Sequence, residues 1–162
     1  MVRNIVFLMC ATMPSSGVFA QQMEQVAIME PINALFEGMN KGDSAMVHKA
    51  FMEDAGFSSI GTDKEGNPKI GRGNLHRFLV AMGTPREEVY SEPIWDVKIE
   101  MDGHFAQVWA KYAFYVGKEL HHCGVDAFHL FKGTNGWKIF QVSDTRQQEG
   151  CEVPAAIQNK FK

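Results

Sequence analysis

The sequence predicts an α+β domain, with helices first and a long antiparallel meander after them. Two observations carry that expectation. Apolar residues recur at helical spacing over Glu24–Asn40, Ala45–Glu53 and Asn74–Met82, and from Trp95 onward they recur at every second position. Asp102-Gly103 and Gly133-Thr134-Asn135-Gly136 then divide the second half into segments of strand length.

In the first helix Val26, Ile28, Met29, Ile32, Leu35, Phe36 and Met39 form one stripe, and Pro31 within it predicts a kink or a late start. Gly42 stops this helix, and Asp43 or Ser44 caps the second, whose inward face is Met46, Val47, Ala50 and Phe51. Phe57–Gly61 and Lys69–Gly71 read as short strands around the turn residues Asp63–Pro68. A third helix, Asn74–Met82, ends at Gly83-Thr84-Pro85. Trp95–Met101, Phe105–Gly117, Leu120–Phe131 and Trp137–Asp144 are the strands of the meander.

Register assigns the faces. Alternation puts Ala106, Val108, Ala110, Tyr112 and Phe114 on one side of their strand. If Lys132 opposes Trp137 across the turn, Leu130 meets Ile139, Phe128 meets Gln141 and Asp126 meets Ser143. His122, Gly124, Asp126, Phe128 and Leu130 then share a face with Trp137, Ile139, Gln141 and Ser143. The opposite face holds His121, Cys123, Val125, Ala127, His129 and Phe131 beside Phe140 and Val142. A one-residue slip would exchange the two sets.

Residues 1–20 have the form of a secretory signal: Arg3 is the charged start, Ile5–Ala11 the apolar run, and Val18-Phe19-Ala20 the small-residue cleavage site. The run is too short to span a membrane, and Met9 before Cys10 disfavours lipid attachment. The expected organisation is a leader at 1–20, one domain at 21–152 and a tail at 153–162, in an exported, periplasmic protein without stable membrane insertion. Cleavage would leave 162 − 20 = 142 residues, with 15 basic against 19 acidic side chains and a net charge of −4. The Lys and Arg residues are scattered, which excludes a nucleic-acid surface. Two cysteines remain, Cys123 and Cys151, an even number for an oxidising compartment. They are either a disulfide or two free thiols, one on the sheet and one in the tail.

The layout, together with His122-Cys123-Gly124-Val125-Asp126, Gly136-Trp137-Lys138-Ile139 and Asp144-Thr145-Arg146 followed by Cys151, resembles the nuclear-transport-factor-2-like superfamily. Within it, the chain is most similar to the SnoaL-like, putative lumazine-binding group of exported bacterial proteins. Phe36-Glu37-Gly38, Gly42-Asp43 and Ala50-Phe51 also look like that group's first two helices. The resemblance spans residues 24 to 151. It implies a cone-shaped fold, three helices wrapped by a curved antiparallel sheet, with a pocket at the open end and frequent dimerisation through the outer sheet face. Its members include isomerases, dehydratases, cyclases and non-catalytic binders, so the fold names no reaction.

Asp126 is the leading candidate for chemistry, because a carboxyl on an apolar concave face has a raised pKa suited to proton transfer. His122 and Tyr112 are its candidate catalytic partners, Tyr112 as a donor to an oxyanion. The expected ligand-binding set is Tyr112, Phe114, His122, Asp126, Phe128, Ile139 and Ser143. Asp126 could equally satisfy a strand end by bonding Ser143, His122 or Arg146. No metal or cofactor is expected: His121 and His122 should point to opposite faces, His129 lies far along the strand, and Gly71-Arg72-Gly73 is no phosphate loop. The expected partners are a small apolar or aromatic ligand and a second copy of the chain. Three functions stay open: a passive binder, an acid–base isomerase, cyclase or dehydratase, and a structural protein of the envelope.

Overall fold

The computed structural model describes residues 16–162. Most of the expected signal segment, including Arg3 and Ile5–Ala11, lies outside the described residues. Helix α1 (Ser16–Lys41) runs through Pro31, and its positions Ile28, Ile32, Leu35 and Met39 are buried along one side. Gly42, at φ +69°, ends it in the left-handed conformation that favours glycine. Asp43 then caps α2 (Ser44–Ala50), accepting from the Met46 N–H at 2.9 Å.

The second helix was expected to reach Glu53, but it stops at Ala50. Phe51 instead begins strand β1 (Phe51–Thr62) and pairs with Ile139, while its ring packs on Phe57 and Phe78. Here sheet pairing and aromatic packing override the local helical pattern. Strand β2 (Pro68–Asn74) returns along β1, and α3 (Leu75–Gly83) is capped by the Asn74 side chain. The remaining strands are β3 (Tyr90–Ser91), β4 (Ile94–Asp102), β5 (Phe105–Val116), β6 (Glu119–Gly133) and β7 (Gly136–Thr145), followed by α4 (Ala155–Gln158).

The seven strands form one sheet in the order β2-β1-β7-β6-β5-β3, with β4 also on β5. All pairs are antiparallel except β1 with β7. Helices α1 to α3 cover one face, and Ile28, Ile32, Leu35, Val47, Phe51, Leu75, Val108, Phe128, Leu130 and Ile139 make a continuous core. Glu24 ties the N-terminal half of α1 to the sheet, accepting from the Trp137 indole N–H and from Lys132 Nζ, both at 2.6 Å.

One residue corrects the expected faces. Lys132 opposes Trp137 and Leu130 opposes Ile139 as foreseen, but His129 then opposes Gln141, leaving Phe140 as an extra residue in β7. Beyond this bulge the side chains exchange sides. Asp126 faces Asp144 rather than Ser143, and Phe128 faces Val142 rather than Gln141. A second bulge leaves His121 unpaired, since Phe114 opposes His122 and Tyr115 opposes Leu120.

The far face of the sheet has its own small core. Cys123 and Cys151 form a disulfide with Cα atoms 5.8 Å apart. Residues 153–162, expected as a tail, pack there: Val153 is buried, and the Phe161 ring stacks on Tyr115 with centroids 3.7 Å apart.

Candidate functional site

Between α1, α3 and the concave side of the sheet lies a cavity of about 390 Å³. Leu35, Met39, Phe57, Phe78, Phe128 and Val142 give it apolar walls. Its polar end gathers Ser59, Glu92, Tyr112, His122, Asp126, Asp144 and Arg146, and Arg72 and Arg77 stand at the β2–α3 side. Each functional side chain is aimed by its strand: Tyr112 by β5, His122 and Asp126 by β6, and Asp144 by β7 past the Phe140 bulge.

The three carboxyl groups are held differently. Asp144 is well supplied, accepting from Ser59 Oγ and from Arg146 Nε, both at 2.6 Å. Asp126 is 3 % exposed, and its Oδ2 has no hydrogen-bond partner. Burial pushes the Asp126 carboxyl well above the carboxylate range, and the charges of Glu92 and Asp144 push in the same direction. Glu92, just before β4, is raised to about 8 by burial first and by the Asp144 charge second. Both carboxyls are raised, and the charge of Glu92 pushes Asp126 up further, so near neutral pH this pair retains at least one proton. The cavity therefore ends in a carboxylic acid able to donate a hydrogen bond.

Tyr112 is committed elsewhere. Its hydroxyl donates to the Thr145 carbonyl at 2.9 Å, with Asp144 Oδ2 at 3.5 Å. Gly124 makes that approach possible, because a Cβ there would collide with the Thr145 carbonyl. Burial raises the Tyr112 pKa further above its ordinary value. His122 is lowered to about 4, by burial and then by Arg146 and His121, so it is a neutral imidazole near neutral pH. The unpaired position of His121 brings its Nδ1 to 2.8 Å from His122 Nδ1, against the expectation that the two rings diverge. Among the described residues, no group of three or more His, Cys, Asp or Glu side chains is arranged to hold a metal ion.

A helical layer on a curved sheet with this cavity matches known folds. The model of the family described as "Putative lumazine-binding" matches residues 23–143. The chain belongs to this family. Its structural neighbours are nuclear-transport-factor-2-like proteins. One, a protein of unknown function from Shewanella baltica OS155, is 20 % identical, with TM-score 0.58 over 79 % of this chain and 97 % of the other. A Novosphingobium aromaticivorans protein with a cystatin-like fold is 11 % identical, with TM-score 0.63 over 93 % and 98 %. A putative dehydratase from Streptomyces avermitilis is 16 % identical, with TM-score 0.58 over 78 % and 98 %. At these identities the likeness is one of fold. No curated protein sequence matches.

Of the residues expected from the sequence, this member of the family brings Tyr112, His122, Asp126 and Phe128 to the cavity wall. Phe114, Ile139 and Ser143 are not among its lining residues. Phe114 packs behind it, edge-on to Tyr90 at 5.2 Å, and Ile139 is fully buried in the core. The bulge turns Ser143 to the other side of β7, where it accepts from Gln141 Nε2 at 3.2 Å. Sequence reasoning missed Glu92, Asp144 and Arg146 as pocket groups. Asp144 and Arg146 alternate with Val142 and so share its side, a signal that could have grouped them. Glu92 precedes Pro93 outside any alternating run and gave none.

Proposed function

We propose that the protein is an exported binder of a small, mostly apolar or aromatic molecule. The observation that carries this reading is the orphaned Asp126 Oδ2 at the polar end of an apolar-walled cavity. A buried polar atom without a partner costs about 1–3 kcal/mol, and a ligand oxygen that accepts from the acid pair would recover it. The cavity volume, about 390 Å³, suits a compact organic molecule. The family description points to the same class of partner.

Export is part of the proposal. The Cys123–Cys151 bond persists in an oxidising compartment, and no described helix is long and apolar enough to cross a membrane. A homodimer through the outer sheet face is proposed as well, since Phe105, Trp109 and Phe131 are each more than 40 % exposed there.

An acid–base enzyme is the second reading, and the proton kept by the acid pair favours it, because a carboxyl titrating near neutrality suits general acid catalysis. Asp126 and Glu92 would then move the proton. Tyr112 fits the oxyanion role poorly, since its hydroxyl is spent on the Thr145 carbonyl. The likeness to a dehydratase is compatible with this reading. A purely structural role in the envelope is the weakest of the three, because a filled core would serve it better than an open cavity.

Native mass spectrometry of protein taken from its own cell envelope tests the proposal. A retained small molecule, lost on filling the cavity with Val142→Trp, is the expected result. Ligand-free protein that also takes up nothing from a cell extract would overturn it.

A further inference from the structure

A second hollow of about 890 Å³ adjoins the apolar cavity and shares four lining residues with it: Ser59, Gly71, His122 and Arg146. Its character differs. Lys69, Arg146, His121 and the hydroxyls of Ser59, Thr62 and Thr145 line it, and Glu149 is its one acidic residue. Arg146 spends only Nε on Asp144, which leaves both Nη groups without a protein partner among the described residues. Lys69 makes no ion pair there either, nor do Arg72 and Arg77 at the rim of the first cavity. Four cations thus surround the two cavities, against the acidic side chains of Asp144 and Glu149 and an acid pair that retains a proton. The chain as a whole carries −3. A local excess of positive charge in an acidic protein favours an anion at this place.

We propose that the ligand is an amphipathic organic anion, its apolar body in the inner cavity and its carboxylate in the outer basin against Arg146 and Lys69. The proposal rests on the ligand-binding reading above and adds the charge and the orientation. Arg146 stands at the junction, where a planar guanidinium fork can take a carboxylate through two parallel hydrogen bonds. Asp144 fixes that fork through Nε, and Ser59 in turn fixes Asp144. Glu92 and Asp126 stand at the same polar end, beside the junction at Arg146. The pair retains a proton, so a neutral oxygen there is favoured over a second negative charge.

Isothermal titration of the full chain with 5-phenylpentanoate and with 5-phenylpentanamide separates the charge from the apolar body. The acid should bind about tenfold or more tightly than the amide, and about 0.5 M salt should weaken the acid alone. Lys69→Gln should cut the preference for the acid at least about threefold, while Lys118→Gln, remote from both cavities, leaves it unchanged. Circular dichroism confirms that each variant is folded. Equal or tighter binding of the amide would overturn the anion assignment while supporting the cavity itself. A preference unaffected by Lys69→Gln would remove the basin from the account. Failure of both probes to bind at about 5 mM would also overturn the assignment, and the ligand-binding reading would still be decided by the retained molecule.

Discussion

Asp126 and Asp144 stand opposite each other across the β6–β7 ladder, and they do so because Phe140 is one residue too many for its strand. Without that bulge Ser143 would face Asp126, and Asp144 and Arg146 would turn away from the cavity. The charge of Asp144, held by Arg146 and Ser59, is then one of the forces that keep Glu92 and Asp126 protonated. A bulge in the ladder thus adds to what burial does for the protonation of the site.

Stability should fall as pH rises through the alkaline side of neutrality. Glu92 moves from 4.5 to about 8 on folding, so the folded chain keeps a proton that the unfolded chain releases. Its contribution is full below about 4.5 and lost as pH rises through about 8. His122 acts oppositely: lowered from 6.5 to about 4, it contributes above 6.5 and loses that contribution as pH falls. Calorimetry between about pH 6.5 and 9 should therefore show a loss on the order of 2 kcal/mol, which Glu92→Gln removes. A flat profile in the wild type would contradict the raised pKa.

Asp126→Asn separates a structural carboxylate from a neutral acid. Because Oδ2 has no partner and the group holds a proton, the amide should cost less than about 1 kcal/mol near neutral pH. Above pH 8 the variant should melt higher than the wild type. A drop of several degrees at neutral pH would mean that Asp126 is a charged structural anchor. Should the wild type turn over a carbonyl substrate, the same change should abolish turnover while folding is kept.

The fold was largely legible, and the site only in part. Alternation along β5 and β6 places Tyr112, His122, Asp126 and Phe128 on the concave face, as the structure has them, because nothing interrupts that part of the ladder. Bulges are invisible to alternation. At Phe140 the error removed Ser143 from the site and concealed Asp144 and Arg146; at His121 it separated two rings that meet. Glu92 comes from an irregular segment brought near Asp126 only when β3 and β4 both dock on β5. The second helix was overextended for a similar reason, since the pairing of Phe51 with Ile139 joins residues far apart in sequence.

Breaking the disulfide should release the far-face core without opening the cavity. Cys123 and Cys151 are 28 residues apart, and closing such a loop stabilises by about 3 to 4 kcal/mol on a chain-entropy model. Cys151→Ser should lower the melting temperature and expose residues 153–162 to proteolysis, while ligand affinity changes little. Unchanged proteolysis would show that Val153 and Phe161 hold the segment unaided.

Dimerisation is tested on the outer face. Phe105, His129 and Phe140 cluster there with centroids 5.6 to 6.4 Å apart, and Trp109 and Phe131 flank them. Sedimentation should find a dimer at micromolar concentration, shifted towards monomer by Val125→Asp. A wild type that is monomeric under those conditions would refute the proposed interface.

The central claim is that an acid pair that keeps a proton near neutral pH awaits a ligand oxygen at the polar end of the cavity. Carbon-detected NMR of carboxyl-labelled protein, titrated from acid to alkaline pH, measures this directly. One carboxyl of the Glu92–Asp126 pair should titrate near 8 or above, lose that transition in Glu92→Gln, and move when a ligand is bound. Two carboxyls that both ionise below about pH 5, as ordinary Asp and Glu do, would contradict the account.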